Sequence, residues 1–238
     1  DSVTPADNVT SMTPQPTIFP RVGYSILSYL MFINTLLSVF NNSLVIAVML
    51  KNVHFLNAMN IIILSLAFSD FMIAACGSAI VTVTNYEGSF FLDDSFCVFQ
   101  GFAVNYFGVV SLCTITLLAY ERYNAVCKPM AGYKLSICRS CMGLLFVWLY
   151  CLFWTAVPLL GWSSYGPKGI LTSCSLNWGE RSWNNYSYLI FYMLLCFILS
   201  TVIIIFLISL KKINKNIELQ GGKNCEDDKE HASRMVLL

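Results

Sequence analysis

Polar and apolar positions in this chain are segregated into long blocks. Residues 1–20 are polar, rich in Pro and Thr and without apolar periodicity. Five apolar blocks follow, at roughly 24–50, 57–83, 96–127, 140–161 and 185–210. Each is long enough to cross the ~30 Å hydrocarbon core of a bilayer with some tilt. Stretches such as Ile198 to Leu210 do not alternate, as a strand of a membrane barrel would. A sixth rise starts near His231 and runs through Ala232-Ser233-Arg234-Met235-Val236-Leu237-Leu238, where the chain stops. The expected fold class is therefore all-α, an integral membrane helical bundle. Residues 1–23 would be a disordered extracellular tail, and 24–238 would carry five helices and the start of a sixth. With no Met at position 1 and no signal-peptide pattern, the chain reads as a piece of a longer protein.

Composition agrees with the blocks. Only 11% of residues are charged against 57% hydrophobic, where a soluble domain carries about 25% charge. A net charge of +1 offers no electrostatic reason to expect a nucleic-acid partner. Eleven of the fourteen Lys and Arg residues fall on one side of the predicted spans, and only Arg21, Lys168 and Arg181 on the other. The positive-inside rule then places the 122–139 and 211–231 loops in the cytoplasm, and the tail and the 161–184 loop outside. Asn8-Val9-Thr10 and Asn185-Tyr186-Ser187 are sequons on the outer side, which makes Asn8 and Asn185 candidate glycosylation sites. Most of the ten cysteines lie in apolar helices, among them Cys76, Cys113, Cys151 and Cys196. There they are expected to act as small hydrophobes. Cys97 and Cys174 flank the predicted outer loops and look like a pair.

The candidate chemistry lies at both ends of the third block. Cys97 and Arg122 are 25 residues apart, about 37 Å along a helix. A thiol thus marks one membrane face, and an Arg with an acidic neighbour, in Glu121-Arg122-Tyr123, marks the other. This arrangement suits a receptor that senses outside and signals inside. Asp70 is the one ionisable residue deep in a predicted span, where a carboxylate costs several kcal/mol unless paired or hydrated.

Leu66-Ala67-Phe68-Ser69-Asp70, with Asn42 one helix earlier, resembles the polar centre of rhodopsin-like receptors, and Ser111 falls where it could face both. That resemblance implies a hydrated pocket, a candidate sodium site at Asp70; the alternative is a plain inter-helix hydrogen bond. Glu121-Arg122-Tyr123 with Pro129-Met130 in the next loop fits the same family. It implies a seven-transmembrane receptor in the plasma membrane, its N-terminus extracellular, in which release of Arg122 from Glu121 opens a cleft for a heterotrimeric G protein. Lipid is the other expected partner, and the oligomeric state is left open. Trp148, by contrast, reads as packing.

Gly161-Trp162-Ser163-Ser164-Tyr165-Gly166-Pro167-Lys168-Gly169, ending at Cys174, narrows the resemblance to opsins, closest to the non-visual, neuropsin-like ones. In opsins this loop is a lid over retinal. The resemblance implies a retinal pocket bounded by Gln100, Val104, Asn105, Gly108 and Val109, covered by Lys168 to Cys174 and walled by Tyr192, Met193, Cys196 and Phe197. It also implies an attachment Lys in a seventh helix that this sequence does not reach. The two positions that usually hold a counterion for the retinal Schiff base are Gln100 and Lys168, neither of them acidic, which implies ultraviolet sensitivity. On the fifth helix Ser200 and Ile208 stand where the family usually has Pro and Tyr. Two other readings remain in view: a retinal photoisomerase that signals little, and a rhodopsin-like receptor for a diffusible ligand.

Overall fold

The structure, a computed structural model, describes residues 20–52, 54, 57–88, 90, 92–127, 136–168 and 172–213. Five helices long and apolar enough to cross a membrane account for most of them. Helix α1 is Arg21–Lys51, α2 Ala58–Glu87, α3 Asp94–Cys127 and α5 Trp183–Ile213. Helix α4 is Ile137–Ala156, extended by a tighter turn at Val157–Leu160. Between α4 and α5 the chain forms a two-stranded antiparallel hairpin, β1 at Tyr165–Lys168 and β2 at Ser173–Leu176, with Tyr165 opposite Leu176 and Pro167 opposite Cys174.

The helices extend a few residues beyond the apolar blocks because polar residues tolerate a helix that has left the hydrocarbon. α1 starts at Arg21, inside the expected 1–23 tail; Pro20 precedes it in an extended conformation, and a fixed proline φ suits a helix start. α2 runs on to an exposed Glu87 and ends at Gly88, whose φ of 83° is a left-handed cap. α4 stops at Pro158 and Gly161, the latter at φ 100°. Side-chain polarity is inverted relative to a soluble protein. Leu36, Phe40, Leu145, Phe146, Ile205 and Phe206 are among many large apolar residues left exposed, where lipid replaces water.

Helix α3 is the axis of the bundle, packed against α2, α4, α5 and both strands. Its approach to α2 is set by Gly77. A Cβ built there would lie 2.6 Å from Val104 Cγ2, so only Gly allows the contact. Gly77 sits in a widened π turn at Ala74–Ser78, and a second such turn interrupts α5 at Met193–Ile198. π turns of this kind cluster at functional sites. The α5 widening occurs two residues before Ser200, so it does not depend on the proline expected there. Ser200 is instead buried, its Oγ 3.7 Å from Cys113 Sγ. Ile208 is 59% exposed. The Trp148 indole donates to Ser65 Oγ at 2.9 Å and packs edge-on against Tyr106 and Phe107, a packing role as its sequence suggests.

Candidate functional site

The hairpin is held against every helix it meets. A disulfide joins Cys97, in the first turn of α3, to Cys174 on β2, with Cα atoms 5.3 Å apart. Both cysteines are buried. Beside it, the Cys174 backbone N–H donates to Gln100 Oε1 at 3.2 Å. Gly101 completes this contact: a Cβ there would meet Tyr165 Cδ1 at 3.0 Å and the β2 backbone at 3.4 Å. From α2, Thr84 Oγ1 donates to the Thr172 carbonyl at 2.6 Å.

Tyr165 carries the deepest tether. Its hydroxyl donates to the Thr155 carbonyl of α4 at 2.8 Å and accepts from Asn105 Nδ2 at 3.0 Å. On the other side of the same amide, Asn105 Oδ1 accepts from the Tyr192 hydroxyl of α5. One asparagine therefore links strand, α3 and α5, with α4 closing the chain through Tyr165. Burial pushes the Tyr165 phenol up to about 12, only partly offset by the Asn105 hydrogen bond, so the donor to Thr155 persists across the physiological range.

A corner below the hairpin is organised by Asn185. It is fully buried; its Oδ1 accepts from Ser163 Oγ at 2.6 Å, and its Nδ2 donates to the carbonyls of Asn177 at 2.7 Å and Glu180 at 2.9 Å. Its backbone N–H is capped by Ser182 Oγ. Ser163 pays for its place with a φ of 77°, unusual for a residue with a Cβ, and the bond to Asn185 holds it there. These facts correct the reading of Asn185 as a glycan acceptor: the nitrogen that would carry the sugar is buried and donates two hydrogen bonds. Asn185→Ala is expected to leave Ser163 and two carbonyls unsatisfied and to destabilise the chain by about 2 kcal/mol or more. A thermal-shift measurement on solubilised protein checks the loss, and peptide mass mapping should find Asn185 unmodified in the parent.

The expected pocket residues divide into two groups. Gln100, Val109, Cys174, Tyr192 and Cys196 are at most 5% exposed. Their surfaces are already covered by protein, so they are floor and lid supports in this arrangement. Val104, Asn105, Gly108 and Phe197 are half-buried and Met193 is 37% exposed. These still present surface, and nothing lies within 4 Å of a Cβ built on Gly108. Gly108 lies one helical turn from Asn105, on the stretch of α3 that the hairpin-tethering amide also occupies. The backbone of Lys168 pairs with Ser173; its side chain lies outside the described residues. A separate groove of about 430 Å³ between α1 and α2, lined by residues such as Ser28, Phe32 and Thr82, shares no residue with this site.

Of the polar centre, Ser111 Oγ donates to Asp70 Oδ1 at 2.9 Å, joining α3 to α2. Asn42 bonds within its own helix instead. Its amide donates back to the Ser38 carbonyl and hydroxyl on its own helix, at 2.9 and 3.2 Å. At the opposite end of α3, Glu121 is 2% exposed and engaged, Arg122 is exposed and Tyr123 half-buried. Pro129, Met130 and Asn8 lie outside the described residues, as does the expected start of a sixth helix.

The tethers through Thr155, Ser163 and Thr172 escaped the sequence reading. Ser and Thr are common in such loops, and only Ser182-x-x-Asn185, a helix-start pattern, hinted at the Asn185 corner.

Comparison with known proteins yields a consistent picture. The family model described as 7 transmembrane receptor (rhodopsin family) matches residues 41–237. Opsin-VA of Rutilus rutilus is 35% identical over 219 residues, 91% of this chain and 57% of that protein. Vertebrate ancient opsin of Salmo salar is 36% identical over 218 residues, 91% of this chain and 67% of that protein. Parapinopsin of Ictalurus punctatus is 36% identical over 189 residues, 79% of this chain and 55% of that protein. Among solved structures, squid rhodopsin superposes with a TM-score of 0.81 at 26% identity, covering 88% of this chain and 61% of that one. The chain thus spans between about half and two thirds of the length of these relatives.

Proposed function

This chain belongs to the rhodopsin family of seven-transmembrane receptors and, within it, to the opsins, and on that premise we propose that it is the sensing portion of a non-visual, retinal-based photoreceptor that signals to a heterotrimeric G protein. The observation that carries the proposal is the hairpin between α4 and α5, which with its flanking residues is bonded to α2, α3, α4 and α5. Retinal, when bound, supplies light absorption and a change of shape. The chain's own residues hold and seal its place. Val104, Asn105, Gly108, Met193 and Phe197 offer the surface, and Tyr165 and Tyr192 fix Asn105 from both sides.

The same lid excludes water from the outer end, which strengthens every electrostatic interaction beneath it. At the other end Arg122 stands exposed on α3, where a G protein would meet it. The Ser111–Asp70 bond between these ends ties α2 to α3 and is placed to register a shift of one against the other, with sodium as a candidate ligand of Asp70. The basic residues flanking the spans support an N-terminus outside, and the receptor family supports the plasma membrane as its site.

Opsins are signalling receptors, which weighs against the photoisomerase reading. The experiment uses the full-length protein regenerated with retinal, followed by light-dependent nucleotide exchange on a G protein. Expected are a retinal-dependent absorption band and light-stimulated exchange that Arg122→Ala reduces by at least tenfold. Retinal binding without exchange would favour the photoisomerase, and exchange without retinal a diffusible ligand.

A further inference from the structure

Two free cysteines stand apart from the rest. Among the described residues, Cys113, Cys151 and Cys196 are buried and Cys76 is half-buried, while Cys138 and Cys141 are exposed. Both lie in the first turns of α4, after an extended Ser136.

The buried positions of α4 are Ser140, Leu144, Val147, Cys151, Trp154 and Thr155. This three-and-four spacing defines the face turned to α3, where a Cβ on Gly143 would touch Leu117 at 3.1 Å. At 100° per residue, Cys138 falls on the opposite side and Cys141 on the flank of the buried face, toward Leu152. They continue into Leu145, Leu149 and Leu152, exposed by 61%, 58% and 40%. The thiols therefore sit at the head of an apolar strip that faces lipid. Fourteen residues separate Cys138 from Leu152, about 21 Å along the axis, a length that a long acyl chain can follow.

The side of the membrane is argued independently. The Cys97–Cys174 disulfide lies at the far end of the bundle from Cys138, and disulfides persist on the oxidising side. The Cys138 end is then the reducing, cytoplasmic one, where thiols stay free. Lys128, Lys134 and Arg139 flank it in sequence, and basic residues there draw the segment to the anionic leaflet.

We infer that Cys138 and Cys141 are a lipid-modification site, S-acylated by long-chain fatty acyl groups donated by acyl-coenzyme A. In the transfer, a cysteine sulfur attacks the thioester carbonyl carbon and a new carbon–sulfur bond forms. The bond to the coenzyme A sulfur breaks, and the proton given up by the cysteine ends on the released thiol. No oxidant or reductant is required. Acyl methylenes buried in the bilayer add membrane affinity, so the chains would fasten the cytoplasmic end of α4, next to the loop that follows Arg122. The inference rests on the helix face and the membrane side and is independent of retinal.

The test is acyl exchange on the full-length protein expressed in cultured animal cells. Thioesters are cleaved with hydroxylamine, and each freed thiol receives a polyethylene glycol maleimide that adds one mass step. Cys138→Ala with Cys141→Ala is expected to remove one or two steps from the parent pattern, and Cys151→Ala none. The Cys97–Cys174 disulfide, mapped in the same samples, reports that the variants have folded. Absence of any hydroxylamine-sensitive step overturns the inference. So does a pattern unchanged in the double variant.

Discussion

Replacing Gln100 with Glu is expected to move the main absorption band of the full-length, retinal-loaded protein from the ultraviolet into the visible. A buried cation without a nearby carboxylate loses its proton, since desolvation disfavours the charged form. By the resemblance to opsins, Gln100 and Lys168 are the matches to the two positions where that family supplies the carboxylate. Gln100 is 1% exposed and its Oε1 already accepts the Cys174 N–H, so Glu fits the same volume and keeps that bond with one oxygen. An opposite charge within about 4–6 Å raises the pKa of a cation by roughly 1–3 units, enough to keep the chromophore's linking nitrogen protonated at neutral pH. Without retinal the new carboxylate is buried without a cation, so the empty variant should also melt earlier than the parent and recover on loading. Glu87, an acid that could otherwise serve as the counterion, is exposed at the outer end of α2, well placed for water. A parent band already in the visible and unmoved by Gln100→Glu would refute the prediction.

Loss of the Cys97–Cys174 disulfide has the largest expected effect on stability. The bridge closes a sequence separation of 77 residues, for which the chain-entropy account gives about 4.5 kcal/mol. It also positions the Cys174 N–H over Gln100 and brings the β2 backbone onto Gly101. Cys97→Ser with Cys174→Ser is therefore expected to lower the melting temperature of solubilised protein and to abolish retinal retention together. Cys151→Ala, which empties only a small core volume, should lower stability by less and leave retention in place. Retention by the double serine variant at the parental level would show that the remaining tethers, Thr84, Asn105 and Asn185, hold the hairpin unaided.

The expected and observed features separate by range. All five spans were legible because a bilayer demands some twenty apolar residues in a row, a signal that needs no partner. The contact between Ser111 and Asp70 was also legible, because two polar residues at the same depth in hydrocarbon have few partners but each other. Asn42 shows the limit of that logic, since a turn of its own helix offered a nearer acceptor at Ser38. Asn185 shows it more sharply. A sequon is a three-residue pattern, and nothing in three residues tells whether the nitrogen faces water or two carbonyls.

By itself, the sequence determined the number of spans in the described region, the residues at each membrane face, the pairing of Cys97 with Cys174 and membership of the opsin lineage. Each follows from local chemistry repeated at a fixed pitch, or from a motif short enough to read in one line. Only the tertiary structure decided that Asn105 joins Tyr165 to Tyr192, that Gly77 admits Val104, and that Cys138 and Cys141 are exposed while Cys151 is buried. Those are properties of helix rotation and of loops folding back over 60 residues or more. They depend on which side chains from distant segments fill the same few ångströms, and no single segment carries that information.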